Sequence, residues 1–244
     1  LFSHPNTAPF ISKQLIQRWV TSNPTPAYVY RVAQKFENNG SGTRGDLSAV
    51  VRAILTDYEA RSSTTLTAPT FGKLREPLIR ATALLRSFGA NPASGRYISG
   101  LANTETALAQ SALRAPTVFN FFRPDYVLPG ALASAGLVAP EYEITDATYA
   151  ISVPNFLRTF IFNAAGTNPD TVVLNLAYEQ SLVATPSALL DHLNQVMCGG
   201  NLTAATRTRV TTMLAALPSN TSTLERAQRA ILVLATSPDG SVQK

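Results

Sequence analysis

Between Leu113 and Pro140 the chain reads LRAPTVFNFFRPDYVLPGALASAGLVAP, and no other stretch limits the fold as much. Pro116, Pro124, Pro129 and Pro140 fix φ and remove backbone donors, so a long helix cannot run through it. Phe119, Phe121, Phe122 and Tyr126 carry too much ring area to be left in water. The reading is a buried, non-helical belt against which helices dock on either side. Arg114, Asn120, Arg123 and Asp125 sit among these rings and need partners if buried. An Arg–Asp pair with Asn-to-backbone bonds would fix an irregular segment. The alternative is a pocket that stacks a sugar or polymer, with Arg114, Asn120, Phe122, Arg123 and Tyr126 as binding residues. Asp125, Glu141 and Glu143 would then supply acid–base chemistry.

On both sides of the belt, apolar residues recur at helical spacing. Phe10, Ile11, Leu15, Ile16 and Trp19 mark one face of a first helix. Pro26 opens a second with Tyr28 or Val29, Val32 and Phe36 inward; Asp46 caps a third with Leu47, Val50, Val51, Ile54 and Leu55 inward. Leu74, Leu78, Ala81, Leu85 and Phe88 form a stripe on a helix that also carries Arg75, Arg80 and Arg86, with Gly89 as its stop. Pro154 should bend the helix after the belt, and TVVLNLAYEQSLVA favours helix over strand by its steps of four. Thr185-Pro186 and the Ser222 to Glu225 capping box start two of the last helices. The class is all-α: an irregular multi-helix bundle, with blocks at 1–112 and 141–244 around a belt at 113–140, together one domain of a longer protein.

The charged fraction, 14%, is well below the ~25% of typical soluble proteins. The net charge of +5 comes from cations scattered singly rather than in a stripe with aromatics, which argues against a nucleic-acid partner. One cysteine, Cys198, excludes an internal disulfide and a cysteine-built zinc site; a buried inert thiol is expected. His4 and His192 are the only histidines, His4 placed to cap the first helix and His192 at a core boundary. The sequence has no G-x-S-x-G elbow, P-loop or H-E-x-x-H. No cofactor is expected. The loop ENNGSGTRGDL offers oxygens at Asn38, Asn39, Ser41 and Asp46 suited to calcium, without the acidic alternation of an EF-hand. No apolar run reaches the ~18 residues of a membrane span. The opening LFSHPNTAPF, without methionine, reads as an internal beginning.

HPNTAPFISKQLIQRWVTSNPTPAYVYRVA, GDLSAVVRAILTDYEAR, FGKLREPLIR, LRAPTVFNFFRPDY and LATSPDGSVQK occur in this order, and together they resemble the C-terminal half of bacterial proteins of the domain of unknown function 1800 family. The resemblance implies a missing N-terminal half, a periplasmic, cell-surface or secreted setting, and no established activity. It also implies partners: that N-terminal half, an exported protein of the domain of unknown function 1501 family, or further copies of the chain. Two functions follow as expectations: an exported structural or interaction module, or a hydrolase of an envelope polymer or glycan with its pocket at the belt.

Overall fold

A computed structural model of the chain describes residues 1–97, 103–118, 120–163 and 168–244; Phe119 lies outside the described residues. These contain fourteen α-helices and four strands of two residues each, so the fold is all-α. In chain order the helices are α1 (Thr7–Trp19), α2 (Pro26–Glu37), α3 (Leu47–Thr56), α4 (Tyr58–Arg61), α5 (Ser63–Thr67), α6 (Pro77–Ser87) and α7 (Glu105–Leu108). They continue with α8 (Ala131–Ser134), α9 (Ala147–Ile161), α10 (Ala177–Leu182), α11 (Pro186–Cys198), α12 (Ala204–Ala216), α13 (Thr223–Thr236) and α14 (Pro238–Ser241). Two units, each discontinuous in sequence, divide the chain. Unit 1 is Leu1–Leu74, Phe122–Glu143 and Gln243–Lys244; unit 2 is Arg75–Phe121 and Ile144–Val242.

Unit 1 is built on α1, α2 and α3. Thr25 accepts the amide of Tyr28 ahead of Pro26, and Asp46 accepts those of Ser48 and Ala49, so local side chains satisfy the orphan donors at both helix starts. The core joins Ala8, Ile16, Val20, Tyr28, Val32, Phe36, Val50 and Ile54. Tyr28 enters it with its hydroxyl donating to the Ile54 carbonyl at 2.7 Å, which removes the penalty of a buried phenol. The apolar faces are narrower than the spacing implied: Phe10, Trp19, Leu47 and Leu55 are exposed. On α1 the buried places beside Ile16 go to Ala8, Ser12 and Gln17 instead.

Unit 2 surrounds a larger core of α6, α9, α11, α12 and α13 residues, among them Leu84, Leu157, Leu189, Leu190, Leu193, Val210, Ile231 and Leu234. Full burial of each such side chain contributes about 1.5–3 kcal/mol. Ser222 accepts the amide of Glu225, as the capping box requires, and Gly199 closes α11 at φ +59°. Helix α9 continues through Pro154. The TVVLNLAYEQSLVA segment divides instead of forming one helix. Its β-branched start, Val172–Val173, pairs antiparallel with Asn91–Pro92 in the register Asn91 to Val173 and Pro92 to Val172, and only Ala177–Leu182 is helical.

The expectation of a buried belt is corrected. Residues 112–118 are exposed, with Leu113 at 105% and Val118 at 96%, while Phe122 within the belt, Ala139 and Pro140 at its end and Glu141 just beyond it are buried. Positive φ at Leu113, Asn120, Gly130 and Gly136 turns the chain repeatedly, so its side chains cannot share one inward face. The belt is not wholly non-helical either, because α8 forms between Gly130 and Gly136.

Candidate functional site

The unit division falls inside the belt: Arg114 and Asn120 belong to unit 2, and Phe122, Arg123, Asp125 and Tyr126 to unit 1. Within unit 1 the belt is pinned by polar groups from outside it. Gln17 Nε2 donates to the carbonyls of Ser22 (3.0 Å) and Pro124 (3.1 Å). Asn23 Nδ2 donates to the Val138 carbonyl and Asn23 Oδ1 accepts the Val138 amide, both at 2.9 Å. Glu141, 1% exposed, receives Lys73 Nζ at 2.9 Å and the Ser22 hydroxyl at 3.4 Å. Lys73 Nζ also donates to the Gln17 and Arg18 carbonyls at the end of α1. The buried ammonium therefore meets a carboxylate and two helix C-terminal oxygens, the arrangement that offsets desolvation of the ion pair.

The sequence-predicted residues take other places. Arg123 pairs with Glu143, its amide at 2.6 Å and its Nε at 3.1 Å, rather than with Asp125. Asp125 is exposed, so two of the three candidate carboxylates are tied up in ion pairs and the third faces outward. Phe122 lies under the Arg18 guanidinium, 4.3 Å from the ring centroid. Tyr126, half-buried, accepts the Ala139 amide through its carbonyl. In unit 2, exposed Arg114 pairs with Glu105 at 2.9 Å, and Asn120 adopts φ +71° in a tight Thr117 to Asn120 bridge.

In the Asn38 to Asp46 loop, oxygens are committed to its own donors. Asn38 Oδ1 accepts the Gly40 and Gly42 amides, and Asn39 Oδ1 those of Ser41 and Thr43. Asp46 caps α3 and accepts Asn39 Nδ2 at 2.8 Å, which with the Ala49 and Ser48 amides holds its carboxyl below the usual range. Among the described residues no cluster of three or more His, Cys, Asp or Glu could hold a metal ion. His4 Nδ1 accepts the Asn6 amide at the start of α1. His192 lies 2.7 Å from Glu179 and edge-on to the Tyr178 ring. Cys198 is buried, and burial reinforced by the Asp239 charge pushes its thiol up to about 11, leaving it an un-ionised core residue.

Sequence reasoning passed over Arg75 and Arg80 by setting them off the apolar stripe of Leu74, Leu78, Ala81, Leu85 and Phe88. Both line a cavity of about 40 Å³ in unit 2 whose other walls include Leu84, Leu157, Met197 and Ala235. Arg75 donates to the Met197 carbonyl at 3.1 Å and Arg80 Nη2 to the Ala235 carbonyl at 2.8 Å, at the C-terminal ends of α11 and α13. Arg80 Nε is buried with no hydrogen-bond partner. Neither guanidinium has an acidic partner among the described residues. Glu76, the carboxylate four residues before Arg80, receives Gln110 Nε2 at 2.7 Å. Burial, aided by Arg75, pushes Arg80 down to about 10, and burial likewise lowers Arg75. The available signal was compositional: REPLIRATALLR holds three arginines and one acid.

The family model described as "Protein of unknown function (DUF1800)" matches residues 1–240, and the chain belongs to this family. No curated protein and no solved structure matches it. Among the described residues no helix is long and apolar enough to cross a membrane.

Proposed function

We propose that this member of the family is an exported, non-catalytic helical module that assembles with another polypeptide at the bacterial cell surface or in the periplasm. The observation that carries the reading is an open groove of about 420 Å³ in unit 1, lined by Pro5, Pro9, Pro24, Pro26, Val29 and Tyr30. Proline has no side-chain rotamers to lose and Tyr few, so such a wall immobilises little on contact. Tyr30 is 63% exposed and receives Gln34 Nε2 on its hydroxyl, which holds an apolar ring ready in water. Export is part of the proposal and draws on the low charge content; the occupants considered are an N-terminal half, an exported protein of the domain of unknown function 1501 family, or a second copy.

The test is the native mass of protein purified under mild conditions from its host, by light scattering, for wild type and Tyr30→Asp. The expected result is a species heavier than the monomer that Tyr30→Asp dissociates without changing the circular dichroism. A wild-type monomer with no co-purifying partner at the highest concentration reached would overturn it.

A further inference from the structure

We propose that unit 2 binds a small carboxylate anion between Arg75 and Arg80, in the partly open cavity lined by Leu84, Leu157 and Met197. A guanidinium in an apolar wall needs a compensating charge, since desolvating an ion without one is costly. Here, among the described residues, each guanidinium meets one carbonyl, at the ends of α11 and α13. A helix C-terminus supplies roughly half a negative charge, so two such ends leave about one positive charge over. A monoanion balances it.

Geometry narrows the choice further. Arg80 Nε is a buried donor with nothing to donate to, and a guanidinium edge fits the two oxygens of a carboxylate. One water needs about 10–15 Å³ of such space, so 40 Å³ holds a group of two or three heavy atoms beyond the first, the size of formate or acetate. The Leu84, Leu157 and Met197 walls favour a carboxylate with a short apolar tail over a fully hydrated inorganic anion. Ser87 does not compete for it, because its hydroxyl donates to the Val196 carbonyl at 3.1 Å. The site is independent of the unit 1 groove.

The experiment is calorimetric titration of the full chain with sodium acetate, at constant ionic strength set with sodium fluoride, with thermal unfolding as a second readout. Expected are saturable binding and a Tm rise of roughly 3 °C at saturation. Arg75→Met and Arg80→Met should each weaken acetate at least tenfold while keeping the helical circular dichroism. Should either variant fail to fold, the other and the wild-type titration still decide. A tripeptide with a free C-terminal carboxylate, compared with its amide, separates a peptide end from a free metabolite: selective binding of the acid assigns a peptide end, and acetate binding alone assigns a small molecule. An acetate response equal to that of fluoride, or two folded variants that bind acetate like wild type, would overturn the site.

Discussion

Both units take cations out of water, and they do so in opposite ways. In unit 1, Arg31 reaches Asp57 through Nε at 2.7 Å and Nη2 at 2.8 Å, adds Glu59 at 2.9 Å, and stacks 4.6 Å from the Tyr58 ring centroid. Lys73 has Glu141. In unit 2, Arg75 and Arg80 have apolar walls and one carbonyl each. The titration behaviour follows. Hydrogen bonds to Asp57 outweigh burial and raise Arg31 above its ordinary value, whereas burial lowers Arg80 to about 10. A charge sharing its surroundings with an acid is a fixed part of the fold. A charge without one is a site with capacity left over.

The strongest way to break the paired side is Lys73→Met, which strips Glu141 of its ammonium while leaving the carboxylate 1% exposed. The expected loss is about 3–5 kcal/mol in urea unfolding, as when one partner of a buried pair is removed. Lys73→Met combined with Glu141→Leu should recover most of it. A single-variant loss under about 1 kcal/mol would show that the pair is solvated and that the contrast between units is weaker than the geometry states.

Arg31→Met is the next largest. Its side chain is about one-third exposed, so water screens part of the effect, and about 1–2 kcal/mol is expected. The pH dependence identifies the cause. Burial alone would raise the Asp57 carboxyl, but hydrogen bonds from Arg31 and the Glu59 amide overcome it and hold the carboxyl below 3.8. A depressed acid stabilises the fold above its unfolded value and loses that contribution as pH falls through the folded value. Wild type should therefore lose stability steeply below about pH 4, and Arg31→Met should show a flatter acid limb, read from denaturant midpoints at a series of pH values. Parallel limbs would detach Asp57 from Arg31.

This contrast also marks what a linear sequence shows. The caps at Thr25, Asp46 and Ser222 act within three residues of their targets, so those interactions are local and readable, whereas Arg31 meets Asp57 and Glu59 from 26 and 28 positions away. The three-helix core of unit 1 was readable for the same reason, through Tyr28, Val32, Phe36, Val50 and Ile54. Lys73 meets Glu141 at a separation of 68 positions, and Arg80 meets Ala235 at one of 155, neither announced by any period. The belt was misjudged because ring area was weighed without backbone direction. Positive φ at Leu113 and Asn120 bends the segment away from any single buried face. Likewise Val172 and Val173 became a strand because Asn91–Pro92 offered them a partner, which helical spacing cannot foresee.

The smallest effects test the unpaired side. Arg80→Met removes one hydrogen bond, to the Ala235 carbonyl, but also an uncompensated charge, and the two oppose each other. The net change should lie within about 1 kcal/mol, far below that of Lys73→Met. Supplying the missing acid sharpens the comparison from the other direction. Ala83 lines the same cavity three residues after Arg80, on the same helix face, where a short carboxylate is within reach of the guanidinium. Ala83→Asp should raise the pKa of Arg80 from about 10 toward that of Arg31, stabilise the chain by up to about 1 kcal/mol, and abolish any response to acetate. The decisive reading is the combination, because a stabilised variant that still binds acetate would mean that the anion and the new carboxylate do not share the two guanidinium edges. A variant that is stabilised and silent to acetate would convert the unit 2 arginines into the kind that unit 1 already has.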